Sequence, residues 1–189
     1  IASNSFAAQS AQAQIETEAT LTWRIPNLPP PDPIRAQEFA ARRRALADSM
    51  GDGVLIVFGT RSPTYDYMAY QQNPTFGFLT GVEEPDAALI VAKNGGRADE
   101  WLFVLPRNAA REMWEGVRLG PEGAREQTGI QSQTNDRVFS VLDSLLAQKP
   151  ILFAMSAPPA NPQPGAELGY DDQVLSRVVA RNSKVQIKA

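Results

Sequence analysis

At 189 residues, with 43% hydrophobic and 21% charged side chains, the chain suits one soluble globular domain with some extra length. A folded body of roughly 150 residues buries about two-thirds of its unfolded surface, enough for a single core. The net charge of −3 lacks the clustered Lys and Arg excess that a nucleic-acid groove requires, and the absence of Cys and His excludes thiolate nucleophiles, disulfides, Cys-ligated zinc, a Ser-His-Asp triad and nearly all imidazole-ligated metal centres.

The chain begins at Ile1, and residues 1–20 are small and polar with no apolar period. Ala11-Gln12-Ala13 has the small-x-small pattern of a signal-peptidase site, which fits the tail of an export signal and a periplasmic or secreted protein. An Ala/Gln/Ser-rich disordered leader of a cytoplasmic protein is the alternative. No run approaches 18 apolar residues, so neither a membrane nor a nucleic-acid partner is expected. The proline tract Pro26–Pro33 predicts an extended arm, which divides a leader over 1–32 from a folded domain over 33–189.

From Ile34 to Met50 the pattern is helical, with Ile34, Phe39, Leu46 and Met50 near one face and Arg42-Arg43-Arg44 read as a solvated face. Gly51-Asp52-Gly53 stops this helix; without a third glycine or a preceding strand it is no nucleotide-binding loop. Val54–Phe58 is a continuous apolar run, which predicts a strand covered on both faces. Further strands are predicted at Phe76–Thr80, Ala87–Ala92 and Trp101–Leu105, the last two joined through Asn94-Gly95-Gly96 as a hairpin. Between them, Gly81 permits a positive φ and Pro85 restricts Glu84 to extended geometry, so Thr80–Pro85 is expected to be a rigid bend between two strands. Glu83-Glu84-Pro85-Asp86 is the densest acidic group, and it reads as a surface turn rather than a carboxylate dyad because adjacent side chains point apart.

Beyond Pro106 the spacing predicts short helices at Ala109–Gly116 and Pro121–Thr128. A stronger helix is capped by Asn135 or Asp136 and runs through Ala147, with Val138, Val141, Leu142 and Leu145 on its buried stripe. A fifth strand at Pro150–Ala154, a proline loop over 157–165 and a last helix from Asp172 to about Arg181 complete the reading. Trp114 stands one helical turn from Ala110 and Arg118, as an interface anchor or as ordinary core. Alternating strands and helices with one hairpin define an α/β fold, a mixed β-sheet with flanking helices.

Three segments carry a family resemblance. Glu38–Leu46 reads EFAARRRAL, Phe76–Pro85 reads FGFLTGVEEP, and Glu112–Gly120 reads EMWEGVRLG. In order and spacing these resemble the EF-x-x-RRR-x-L, F-x-x-x-TG-x-x-EP and E-x-W-x-G-x-R-x-G motifs of the N-terminal domain of the aminopeptidase P, creatinase and prolidase family, over about Pro33 to Ala189. The chain departs at Gln71-Gln72, where relatives often have Tyr-Arg, and at Gly77, where they have an aromatic residue.

The resemblance implies a ribonuclease H-like layer architecture in which Phe76, Thr80, Gly81, Glu84 and Pro85 form a structural motif. It also implies a hydrolase parent, an Xaa-Pro aminopeptidase acting on proline-containing peptides and working as a dimer or tetramer. Chemistry in that family belongs to a second domain holding two manganese ions, to which no residue here corresponds. The present domain is therefore expected to hold no catalytic residue, metal or cofactor, and to serve assembly and the substrate entrance, with Trp114 and Arg118 contacting substrate of a neighbouring subunit. A free-standing binding or scaffold protein that kept this domain is the alternative.

Overall fold

The apolar run after Gly53 lies in the middle of the sheet, where both faces must be covered. In the computed structural model, residues 33–63, 70–155 and 169–188 are described, without the side chains of residues 33–35 and 115. The leader, the proline arm up to Asp32, the loop over 157–165 and the Ile34 side chain lie outside the described residues, and Pro33 begins the first helix. In chain order the elements are α1 (Pro33–Ser49), β1 (Gly53–Phe58), α2 (Pro74–Thr80), β2 (Ala88–Asn94), β3 (Arg97–Val104), α3 (Ala109–Glu115), α4 (Gly120–Thr128), β4 (Gln131–Thr134), α5 (Val138–Gln148), β5 (Ile151–Phe153), α6 (Tyr170–Arg181) and β6 (Gln186–Lys188). A 3-10 turn at Asn135–Arg137 leads into α5.

The sheet order is β4-β3-β2-β1-β5-β6. β2 is antiparallel to both β1 and β3, whereas β3–β4, β1–β5 and β5–β6 are parallel pairs, so β2 alone runs against the other five. Alternation within each central strand divides the core into two layers. Val54, Ile56 and Phe58 pack with Ile90, Phe103 and Leu142 under α5 and α6, while Leu55 and Val57 pack with Leu89, Leu102, Phe76 and Ala124 on the opposite side. The mixed α/β sheet flanked by helices agrees with the fold class read from the sequence.

Four local expectations are corrected. Phe76–Thr80 lies in a helix, not a strand. Pro74 occupies its first turn, the Asn73 side chain accepts from the Thr75 and Phe76 amides, and Gly81 closes it at φ 66°, so end signals outweigh the strand propensity of its Phe and Thr residues. The bend over Thr80–Pro85 therefore joins a helix to a strand.

The arginine run is not a uniformly solvated face, because Arg43 is only 3% exposed. Leu46, Ala47 and Met50 pack into the core below it, and Arg43 continues the same helical stripe one turn back. Asn135 and Asp136 do not cap α5; they lie in the 3-10 turn, where the Asn135 side chain donates to the Asp86 carbonyl at 3.4 Å. Two strands, β4 and β6, stand where the sequence predicted none.

Candidate functional site

The three motif segments meet at one end of the sheet, in the connections around α2, α3 and α4. α1 supplies the first layer. Arg43 donates from NH1 to the Leu79 carbonyl at 3.0 Å and from Nε to Glu100 at 2.8 Å, and Arg42 donates to the Phe78 carbonyl at 3.0 Å. These guanidinium groups satisfy carbonyls at the C-terminal end of α2, where the helix leaves acceptors without partners and cations are favoured. Phe39 of the same helix lies so close that a Cβ on Gly81 would stand 2.3 Å from its ring. Gly81 is therefore required both for its positive φ and for this approach.

Thr80 reinforces the turn. Its buried Oγ1 donates to the Phe76 carbonyl at 2.8 Å and accepts from the Val82 amide at 3.1 Å. The same device recurs where α4 ends at Thr128-Gly129-Ile130, with Thr128 Oγ1 on the Ala124 carbonyl at 2.6 Å and under the Ile130 amide at 3.1 Å. In each case a threonine, a left-handed glycine and a buried apolar residue turn a helix back into the body.

Gln72, noted above only as a departure from the motif, fixes the following loop. Its Nε2 donates to the Val82 and Glu84 carbonyls at 2.9 and 3.0 Å, and its Oε1 accepts from the Thr60 and Asn73 amides, each at 2.9 Å. All four bonds are to backbone, so one side chain gathers the end of β1, the start of α2 and the Glu-Pro loop. Nothing in the sequence pattern marks Gln72 for this role. Asp86 closes the loop in the left-handed region at φ 55°, with Arg61 Nε on its carboxylate at 3.2 Å and its amide on the Thr60 carbonyl at 2.9 Å.

Glu84 turns inward, which corrects the reading of 83–86 as a purely surface turn. Its Oε1 accepts from the Leu119 amide, while Oε2 is sealed from solvent without a partner. Burial pushes this carboxyl above its ordinary value, against the pull of the Leu119 amide and Arg118. Tyr70, whose hydroxyl is likewise sealed without a partner, is pushed upward by burial and then by the neighbouring Glu83, Asp86 and Glu84 charges.

The third segment projects from this base. Asn108 caps α3 by accepting from the Arg111 amide at 3.2 Å. Glu112 reaches back to the Asn108 amide at 2.9 Å and takes both Nε and NH2 of Arg107, at 2.7 and 2.8 Å. The Arg107 guanidinium holds the Glu112 carboxyl down to about 2, with the Asn108 amide the next cause. Gly116 then ends the helix at φ 88°.

Arg118 therefore lies in the loop beyond α3, not one helical turn from Trp114 on the same helix; it donates to the Pro106 carbonyl at 3.4 Å. Trp114 is 88% exposed, flanked by Met113 at 80% and Val117 at 79%, so the core-packing alternative for Trp114 does not hold. Three large apolar side chains open to water on one short segment are unlike singly scattered surface residues.

Residues 39–153, which include this entire junction, match the family profile described as the aminopeptidase P N-terminal domain. The chain belongs to that family. Among its relatives, the Xaa-Pro aminopeptidase of Escherichia coli K12 is 34% identical over 123 residues, which is 59% of this chain and 28% of the enzyme. Xaa-Pro aminopeptidase 3 of Dictyostelium discoideum is 33% identical over 120 residues, 60% of this chain and 23% of that protein. The solved proline aminopeptidase P II of Yersinia pestis superposes with a TM-score of 0.64 at 28% identity, over 78% of this chain and 34% of that one.

This aminopeptidase P-type domain thus spans about a quarter of the length of those two curated relatives. Its residues do not fit a two-metal centre: His and Cys are lacking, and among the described residues no three acidic side chains gather into a possible ligand set. Nor, among the described residues, is any helix long and apolar enough to cross a membrane.

Proposed function

We propose that this domain is the non-catalytic N-terminal part of an Xaa-Pro aminopeptidase-type metallopeptidase, serving oligomer assembly and shaping the substrate entrance. The observation that carries the reading is the nearly complete exposure of Trp114 on a short helix held rigidly at its base. A tryptophan left in water next to Met113 and Val117 gains by being covered, and aromatic residues of this kind dominate contact energies. Trp114, with Arg118 in the loop that follows its helix, meets a proline-containing peptide or the mouth of a neighbouring subunit's site in a dimer or tetramer. Hydrolysis ahead of proline, with two manganese ions, is assigned to a metal-binding domain of the parent protein and not to these residues. The site of action is the periplasm or the extracellular space. The relatives' names support the substrate class, and one solved structure is that of E. coli aminopeptidase P with the inhibitor Pro-Leu.

The test is Trp114→Ala in the intact parent. Turnover of a proline-containing peptide is expected to fall by about tenfold or more, since losing a buried aromatic contact costs at least about 1.4 kcal/mol, while metal content and folded stability stay unchanged. Equal turnover in variant and wild type would remove the assignment. A purified parent that lacks peptidase activity altogether would favour the scaffold reading instead.

A further inference from the structure

α3 buries none of its apolar residues: Ala109, Ala110, Met113 and Trp114 are all exposed. A seven-residue helix is too short to be stable in water by itself, so something other than packing must hold it. At its N-terminal end the attachment is the Arg107–Glu112–Asn108 cluster. At its C-terminal end the chain passes through Gly116 at φ 88° and Gly120 at φ 64°, which bracket Val117, Arg118 and Leu119. Besides the packing of Leu119 against the core and the Arg118 side-chain bond to the Pro106 carbonyl, two carboxylates hold this return segment: Glu112 takes the Arg118 backbone and Glu84 the Leu119 amide. Glu84 is the one of the two that belongs to the body rather than to the projecting helix. Its own backbone is clamped by the Gln72 bond to its carbonyl and by Pro85.

We propose that Glu84 is the positioning residue of the Trp114 face: its carboxylate fastens the Val117–Gly120 return segment to the sheet, and its charge sets how firmly α3 is held. This rests on the reading of Trp114 as a contact residue given above.

The chemistry follows from the surroundings. An amide donating to a carboxylate makes a bond about twice as strong as one to a neutral oxygen. Glu84 faces Arg118 and Glu112 of the third segment, Arg107 just before it, and Tyr70 just before the second. The two cations favour its charge, Glu112 opposes it, and burial with a sealed Oε2 opposes it most. Glu112, held down to about 2, keeps its charge after Glu84 has lost its own. The attached, buried Glu84 thus takes its proton more readily than a detached, solvated one would, so mild acid tightens the C-terminal attachment and leaves the N-terminal one unchanged.

The test follows the Leu119 amide and the Trp114 indole N–H of the full chain by nuclear magnetic resonance from about pH 8 to about pH 4. Both signals are expected to shift with one midpoint above the ordinary carboxylate value, and the protection of the Leu119 amide against exchange should rise about tenfold as Glu84 takes its proton. In Glu84→Gln, which keeps the acceptor and removes the charge, both shifts should vanish and protection should sit at the high value throughout. A Leu119 signal that does not titrate, a Trp114 signal that stays still while Leu119 moves, or a Glu84→Gln variant that titrates as the wild type does would each overturn the proposal. The wild-type titration stands even if the variant fails to fold. Because these resonances report position without any peptide, they separate this proposal from the substrate-entrance reading, which the Trp114→Ala turnover assay tests by itself.

Discussion

Replacing Gln72 by Ala should be among the most damaging single changes to the motif junction that leave every apolar contact in place. The side chain makes four backbone hydrogen bonds, all between 2.9 and 3.0 Å, to Thr60, Asn73, Val82 and Glu84. At about 1 kcal/mol net each, they set a ceiling of roughly 4 kcal/mol. Gln72 is half-buried, so water recovers part of the loss and about 2–3 kcal/mol is expected. For a domain of this size that corresponds to a fall in melting temperature of roughly 4–12 °C.

Chemical denaturation read by circular dichroism measures the effect directly, with the exposed neighbour Gln71→Ala as control. Gln72→Glu adds a sharper test, because it keeps the acceptor but sets a carboxylate against the Val82 and Glu84 carbonyls. The fold would then favour its protonated form, so this variant should be weaker at neutral pH than in mild acid. If Gln72→Ala unfolds within about 0.5 kcal/mol of wild type, as a surface change does, the keystone role is wrong.

Arg43→Met should cost about 2–3 kcal/mol, because it leaves the Leu79 carbonyl buried and unpaired and removes the partner of Glu100, while Arg44→Met on the exposed side should be neutral in the same denaturation assay. Gly81→Ala should cost about 1–2 kcal/mol for the left-handed backbone and more for displacing the Phe39 ring, visible as a lower melting temperature. Glu112 is held below its ordinary value of 4.5 down to about 2, so its contribution to stability is complete above the upper value and is lost as pH falls toward the lower one. Glu112→Gln should accordingly flatten the stability profile in that interval. Glu84, whose carboxyl is raised, has the opposite sign: its cost sets in as pH rises from the ordinary value through the raised one, and Glu84→Gln should remove that slope.

Much of this protein was readable from residue order alone, and the reasons are local. The run Val54–Phe58 could only be a strand covered on both faces, and Asn94-Gly95-Gly96 could only reverse a chain. The helix around Leu142 announced itself by spacing that repeats every three to four residues. The three motif segments, read together, point to the family.

Other features depended on partners far away along the chain. β4, with the sequence Gln131–Thr134, has no apolar alternation and exists because it lies alongside Trp101–Val104; β6 likewise exists because β5 offers it an edge. Phe76–Thr80 carried strand-forming residues, and the signals that made it helical sat just outside it, at Asn73, Pro74 and Gly81. Arg43 looked like its two neighbours, yet one of three consecutive arginines faces inward because helical phase and the carbonyls of α2 decide it.

The sequence determined the family, the layer architecture and the position of Trp114, since propensity, periodicity and motif spacing act within a few residues. Tertiary structure alone decided that Trp114 is exposed, that Glu84 points inward to Leu119, and that Gln72 ties three segments together. Those outcomes rest on hydrogen bonds and burial between residues 10 or more positions apart, and no local pattern encodes which donor will meet which acceptor.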